Sequence, residues 1–176
     1  MFLRSGFPLR ARRSLWVAVL SVLLLVLSAC DQQRISELEE GVSTEADVRE
    51  RFGAPEAVWD GPDGDQIYEY NRQPEGYQNY QITIGADGKM SALRQVLNPD
   101  NFSRVEVGMP METVRKMLGK PMKITPFELK REVHYDWRYR DGPNESDSKI
   151  FTVVFDSDYH VVSTASVADP GLTQRH

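Results

Sequence analysis

Two stretches of this chain spell one unit, and that repetition constrains the fold more than any other feature. The first reads Gly41-Val42-Ser43-Thr44-Glu45-Ala46-Asp47-Val48-Arg49-Glu50-Arg51-Phe52-Gly53-Ala54-Pro55, and the second Gly108-Met109-Pro110-Met111-Glu112-Thr113-Val114-Arg115-Lys116-Met117-Leu118-Gly119-Lys120-Pro121. Val-Arg, an apolar residue, Gly, any residue and Pro recur at an offset of 66, while the leading glycines stand 67 apart. The first copy therefore carries one extra residue at its helix start. Later landmarks follow the same order: Tyr68-Glu69-Tyr70 against Tyr135-Asp136-Trp137, and Ala86-Asp87-Gly88-Lys89 against Ser157-Asp158-Tyr159-His160. Unlike residue types kept at fixed spacing mark a duplicated supersecondary unit.

Each part of the unit has a physical reading. Ser43 or Thr44 caps a short helix with its side-chain oxygen, and Glu45 and Asp47 suit the positive N-terminal dipole. In the second copy Pro110 is expected in the first helical turn, where a missing N–H costs nothing. Val48 with Phe52, and Val114 with Leu118, are i, i+4 pairs on one helix face. Gly53 and Gly119 are expected to close their helices in the left-handed conformation, and Pro55 and Pro121 prevent continuation. A short amphipathic piece precedes each leading glycine, Ile35-Ser36-Glu37-Leu38 and Phe102-Ser103-Arg104-Val105, so each copy opens as a helical hairpin.

Strands bounded by turn signals follow. In the first copy they are expected near Ala57–Trp59, Gln66–Tyr70, Tyr77–Ile84 and Lys89–Val96, and in the second near Lys123–Phe127, Val133–Arg140, Lys149–Phe155 and Val161–Ser166. Asp87-Gly88 reads as a hairpin turn with positive φ at both central residues. Alternation in Tyr80, Ile82, Ile84 and in Tyr135, Trp137, Tyr139 puts one face of each sheet inside and leaves the other wet. The expected fold class is α+β: a helical hairpin followed by an antiparallel sheet, ααββββ, occurring twice in two layers.

The N-terminus carries an address. Arg4, Arg10, Arg12 and Arg13 precede the apolar stretch Leu15 to Leu27, and Leu27-Ser28-Ala29-Cys30 ends it with the single cysteine of the chain. Charged, then apolar, then small is the layout of an export signal. The stretch is short for a ~30 Å hydrocarbon core, which argues against a permanent spanning helix. Cys30 is followed by polar Asp31-Gln32-Gln33 and makes a poor core residue. The run Leu27 to Cys30 resembles a lipobox, which implies cleavage between Ala29 and Cys30 and acylation of Cys30. The expected organisation is residues 1–29 as signal, 30–34 as lipidated linker, 35–100 as the first repeat, 101–170 as the second and 171–176 as a tail.

Beyond the signal's four arginines the chain keeps 17 basic and 26 acidic side chains, a formal charge of −9. Such a surface repels nucleic-acid phosphates and does not hold anionic lipid by charge, which leaves anchoring to the acyl chains.

The lipobox with Gly41-Val42-Ser43-Thr44-Glu45-Ala46-Asp47-Val48…Phe52-Gly53-Ala54-Pro55 resembles the SmpA/OmlA (BamE-like) small lipoprotein domain, and the second copy, Gly108 to Pro121, is similar to it more closely in spacing. Tandem copies also resemble the beta-lactamase inhibitor protein fold in architecture. The resemblance implies an envelope lipoprotein that binds other proteins, among them the outer-membrane β-barrel assembly machinery. This chain departs from the single-copy assembly factor in having two units, which implies a larger continuous sheet. Asp31, just after the lipidated cysteine, resembles an inner-membrane retention signal, while the family favours the outer membrane.

The sequence groups no residues for chemistry. His134, His160 and His176 lack metal-site spacing. Asp60-Gly61-Pro62-Asp63-Gly64-Asp65 and Asp156-Ser157-Asp158 lack a full calcium-ligand series and read as solvated turns. No nucleophile elbow or serine–histidine pairing is present. No catalytic residue, metal, cofactor or small-molecule substrate is expected. Asn144-Glu145-Ser146 reads as an exposed turn. Tyr135, Trp137 and Tyr139 share one strand face. They read as core or, exposed, as a protein interface rich in aromatics with Arg138 and Arg140 on the opposite face. The functional expectation is a non-catalytic interaction module of the envelope, with inhibition or sensing of an envelope enzyme, a beta-lactamase or a cell-wall enzyme, as the alternative.

Overall fold

A computed structural model describes residues 35, 37–144 and 147–173. Leu27, Ser28, Ala29, Cys30 and Asp31 lie outside the described residues, as do Glu145, Ser146 and His176. The described residues from Glu40 onward form one compact unit, which carries the fold.

A helix followed by four strands occurs twice among the described residues, with one further short helix ahead of the second set. Helix α1 (Glu45–Phe52) leads into strands β1 (Ala57–Asp60), β2 (Gln66–Asn71), β3 (Asn79–Ile84) and β4 (Met90–Gln95). Helices α2 (Pro99–Phe102) and α3 (Met111–Leu118) lead into β5 (Lys123–Phe127), β6 (Glu132–Arg140), β7 (Ser148–Phe155) and β8 (Val161–Ala168), and a short α4 (Pro170–Thr173) follows. The strands make two four-stranded antiparallel meanders, β1-β2-β3-β4 and β5-β6-β7-β8. They are separate sheets, not the larger continuous one that tandem copies suggested. The fold is α+β, helices on sheet in two layers, twice over.

Backbone hydrogen bonds repeat along with the sequence. Gly41 N–H donates to Met90 O at 2.7 Å and Gly108 N–H to Val161 O at 2.8 Å. Glu45 N–H reaches Gly88 O, as Met111 N–H reaches Tyr159 O. Both sheets carry a bulge at the same place, Thr83/Ile84 and Val154/Phe155. The extra residue of the first copy falls between Gly41 and Ser43, where Val42 is exposed and the flanking bonds, Gly41 N–H to Met90 O and Met90 N–H to Ser43 O, are kept.

The helix ends differ from expectation in instructive ways. Thr44, rather than Ser43, caps α1: its hydroxyl accepts from Asp47 N–H, and the Asp47 carboxylate accepts from Thr44 N–H at 2.8 Å, a reciprocal capping box. Pro110 stands one residue before α3, at the cap position with ψ 144°, not within the first turn. Gly53 and Gly119 have φ 83° and 74° but ψ −160° and −170°. That is the extended mirror region that only glycine visits readily, not the left-handed helical one. Helix α2 begins earlier than its apolar residues suggested, because the Asn98 side chain accepts from Asn101 N–H and Pro99 supplies the first turn. The expected boundary between residues 100 and 101 falls inside this helix. In the first copy's leading piece Ser36 is outside the described residues, while Leu38 N–H donates to Ile35 O at 3.2 Å.

Apolar residues fill two cores, each between a sheet and its own helices. Val48 and Phe52 of α1 are buried, as are Tyr68, Tyr70, Tyr80 and Ile82 of β2 and β3, and the Phe52 ring centroid lies 4.9 Å from that of Tyr70 and 5.4 Å from that of Tyr80. Val114 and Leu118 of α3, with Phe102, cover Tyr135, Trp137, Tyr139, Phe151 and Val153. Phe102 stacks on Phe151 at 4.1 Å. Trp137 is 0% exposed and its indole N–H donates to Gly119 O at 3.0 Å. Tyr135, Trp137 and Tyr139 are therefore core, and their reading as an exposed interface is corrected: α2 and α3 lie over the face they occupy.

Candidate interaction surface

The repeat motif residues shape the chain rather than a reaction site. Val48, Phe52, Val114 and Leu118 are buried in the cores. Gly41, Gly53, Gly108 and Gly119 hold positive φ at the helix flanks. Pro121 is buried and Pro55 half-buried at the helix-to-strand turns. Among the described residues no group of three or more His, Cys, Asp or Glu is placed to hold a metal. The Asp156 carboxylate is spent on its own turn, accepting from His160 N–H at 3.0 Å and Asp158 N–H at 2.9 Å; these bonds hold its carboxyl below the usual range. His134 lies 3.2 Å from Glu132 and against the Phe127 ring, on a different strand from the turn that holds His160.

What the alternation did not reveal is what happens to the polar face of the first sheet. Cross-strand register puts Ala57, Glu69, Gln81 and Arg94 in one row, with Asn71 and Asn79 in the next. This face was expected to be wet, yet Glu69 and Asn79 are 0% exposed. Helix α3 of the second repeat lies on it. Arg115 Nη1 donates to Glu69 Oε1 at 2.7 Å, and the same carboxylate accepts from Asn71 at 2.6 Å and from Trp59 Nε1 at 3.1 Å. Asn79 Nδ2 donates to Leu118 O and Lys120 O, the end of α3, and Gln81 Nε2 to Lys116 O. The Lys116 ammonium sits 5.2 Å over the Trp59 ring. A buried charge is tolerated only when paired and hydrogen-bonded, and α3 supplies the pairing.

The second sheet presents the same face with no helix of the described residues making such bonds to it. Its central row is Lys123, Asp136, Thr152 and Ala165; flanking rows are Thr125, His134, Val154, Ser163 and Arg138, Ile150, Val167. Asp136 occupies the place of Glu69: Met122 N–H donates to its carbonyl at 2.8 Å as Glu56 N–H does to Glu69 at 2.9 Å. Among the described residues its carboxylate, however, meets only the Thr152 hydroxyl, at 2.6 Å, and stands half-buried. Arg138, in the place of Asn71, bonds Pro74 O and pairs with Asp169 at 2.8 Å. Along β8 every residue from Val162 to Ala168 is exposed. The arrangement offers a shallow sheet face with a carboxylate at its centre and aliphatic side chains beside it.

Residues 95–165, the second repeat, match the family model described as the outer membrane protein assembly factor BamE domain. No curated protein matches the chain. Among solved structures, the chain is similar to a DUF4309 family protein (YjgB) from Bacillus subtilis subsp. subtilis str. 168 at 21% identity, covering 76% of this chain and 83% of that one with a TM-score of 0.29. A beta-lactamase inhibitor-like protein from Streptococcus mutans is 13% identical over 71% of this chain and 82% of its own, TM-score 0.33. An extracellular protein containing a SCP domain from Bacillus anthracis str. Ames is 13% identical over 79% of this chain and 49% of its own, TM-score 0.28.

Proposed function

We propose that this chain is a cell-envelope lipoprotein that works as a non-catalytic interaction module in outer-membrane protein assembly or envelope integrity. The observation that carries the reading is the outer face of the second sheet. Its counterpart on the first sheet is covered by a short helix that delivers an arginine to a carboxylate. A partner of the same chemistry, a helix end bearing a cation, suits the Asp136 face in the same way. The match of this second repeat to the BamE domain supports placing that partner in the outer-membrane assembly machinery.

Residues 1–29 serve as the signal, Cys30 carries the lipid, and the outer membrane is the favoured address despite Asp31. Tethering raises local concentration, so weak contacts at the sheet face suffice. Crosslinked pull-down from intact envelope is expected to recover a protein partner, and Asp136→Lys is expected to reduce that recovery while leaving the circular dichroism spectrum intact. A pull-down that yields no envelope protein overturns the reading. In a deletion strain, altered outer-membrane permeability supports it, whereas altered cell-wall enzyme activity or β-lactam response alone favours the inhibitor alternative. Replacing Cys30 by Ala is expected to release the chain or block its processing; membrane retention at unchanged size refutes the anchor.

A further inference from the structure

Four strands of this fold lie at sheet edges, and three of them are guarded. Strand β1 has four residues and ends in Asp60. On β4 the Leu93 N–H is taken by the Glu40 carboxylate at 2.9 Å, and Arg94 pairs with the same group. Strand β5 carries Lys123 and an internal Pro126. Short length, side-chain capping, charge and proline are the means by which proteins keep edges from pairing. Strand β8 has none of them. It runs eight residues, Val161–Ala168, without charge, proline or glycine, in a chain of which 27% is charged.

Among the described residues, only the first residue of that edge is occupied: Val161 exchanges hydrogen bonds with Gly108 and Met109. Farther along, Asp169 N–H points inward to Ser148 O at 3.0 Å. Alternation along an antiparallel ladder then turns the N–H and C=O of Ala168, Ser166 and Thr164 outward. Among the described residues no backbone group pairs with them. Val162 and Val167 are 43% and 54% exposed.

We infer that β8 is an assembly edge on which a second copy of this chain adds its own β8, antiparallel, about a two-fold axis at Ala165. A two-fold normal to a sheet pairs residues of the same facing, and centring it on Ala165 meets that condition. Thr164 and Ser166 of each copy then exchange hydrogen bonds, while the two Ala165 residues form the close, non-hydrogen-bonded pair. Small side chains at the centre permit the approach. The pairing runs from Val162 to Ala168, short of Val161 and His160, which stay joined to Gly108, Met109 and Pro110 of their own chain, and no charged side chain lies within it. An uncharged edge matters in an acidic protein, because a charged one would add local repulsion to that of the whole surface. The two sheets become one eight-stranded sheet, and the Asp136 faces of both copies lie on the same side.

The test uses the full chain in detergent. Sedimentation equilibrium is expected to show the mass rising from one chain to two with concentration. Ala165→Lys, at an exposed position, sets like charges on the axis and is expected to weaken association at least about tenfold without altering the melting temperature. Ala165→Cys is expected to form a disulfide-linked dimer on mild oxidation, since Cα atoms ~4.5 Å apart across such a pair lie within disulfide reach. Val162→Cys, six residues out of register with its mate and ~20 Å from it, is expected to give no more crosslinked dimer than the unsubstituted chain. A monomer at every concentration overturns the inference. So does a dimer indifferent to Ala165→Lys, or equal crosslinking at positions 162 and 165.

Discussion

Gly53 and Gly119 occupy equivalent places after equivalent helices, with nearly the same backbone angles, but only one of them touches the other repeat. A Cβ added at Gly53 meets nothing within 4 Å. At Gly119 it would lie 2.5 Å from Asn71 Oδ1 and 2.9 Å from Asn79 Nδ2. Those amides cannot swing aside cheaply: Asn79 holds Leu118 O and Lys120 O, and Asn71 Oδ1 accepts from Lys120 N–H at 2.8 Å. Gly53→Ala is expected to cost only the strained backbone conformation, ~1–3 kcal/mol. Gly119→Ala is expected to cost a further ~1–3 kcal/mol for the collision. Urea denaturation of the two variants side by side checks this; equal midpoints would mean that α3 does not sit on the first sheet as described. As a motif the two glycines look alike, because the local backbone requirement is the same. Their difference is tertiary and leaves no trace in the sequence of either copy.

At the scale of elements, the hairpins β3–β4 and β7–β8 show which part of the fold was legible. Turn residues, β-rich runs and the offsets between copies locate all eight strands to within one or two residues, because hairpins are local structures. The internal geometry of the Asp87-Gly88 turn is less legible in the sequence. Only Gly88 takes positive φ, 78°, and the bulge at Thr83/Ile84 absorbs the extra residue that a tighter two-residue turn would not need. In the second copy the same place is held by Tyr159 at φ 60°. A side chain with a Cβ pays roughly 1–2 kcal/mol there, partly offset by the greater unfolded-state entropy of glycine, roughly 0.5–1 kcal/mol. Tyr159→Gly is thus expected to stabilise by ~0.5–1 kcal/mol, and Gly88→Ala to destabilise by ~1 kcal/mol. Thermal melts of both read the opposite signs.

Across the whole molecule, the layer joining the repeats is polar, which is why alternation assigned it to solvent. A carboxylate and amides on one sheet face look wet until a distant helix is laid over them, and the register of that helix is set by the intervening chain. Glu69 and Arg115 are 46 positions apart, with 45 residues between them, and the layer they join has a testable energetic signature. Glu69 is wholly buried and the Arg115 side chain 26% exposed. Removing the cation alone, by Arg115→Met, strands a buried charge that Asn71 and Trp59 can only partly satisfy. The expected loss is ~2–4 kcal/mol, below that of a wholly enclosed pair because water reaches the arginine. Adding Glu69→Leu removes the stranded charge and is expected to recover most of the loss, although each substitution by itself deletes hydrogen bonds. Trp59 in the first repeat and Trp137 in the second give separate fluorescence probes when each is retained alone. In the parent both should report one unfolding midpoint, since the repeats share this layer. In Arg115→Met the Trp59 transition should move to lower urea ahead of Trp137, whose ring is held by the second core. A double variant no more stable than Arg115→Met, or two separate midpoints already in the parent, would show that the buried pair does not join the repeats.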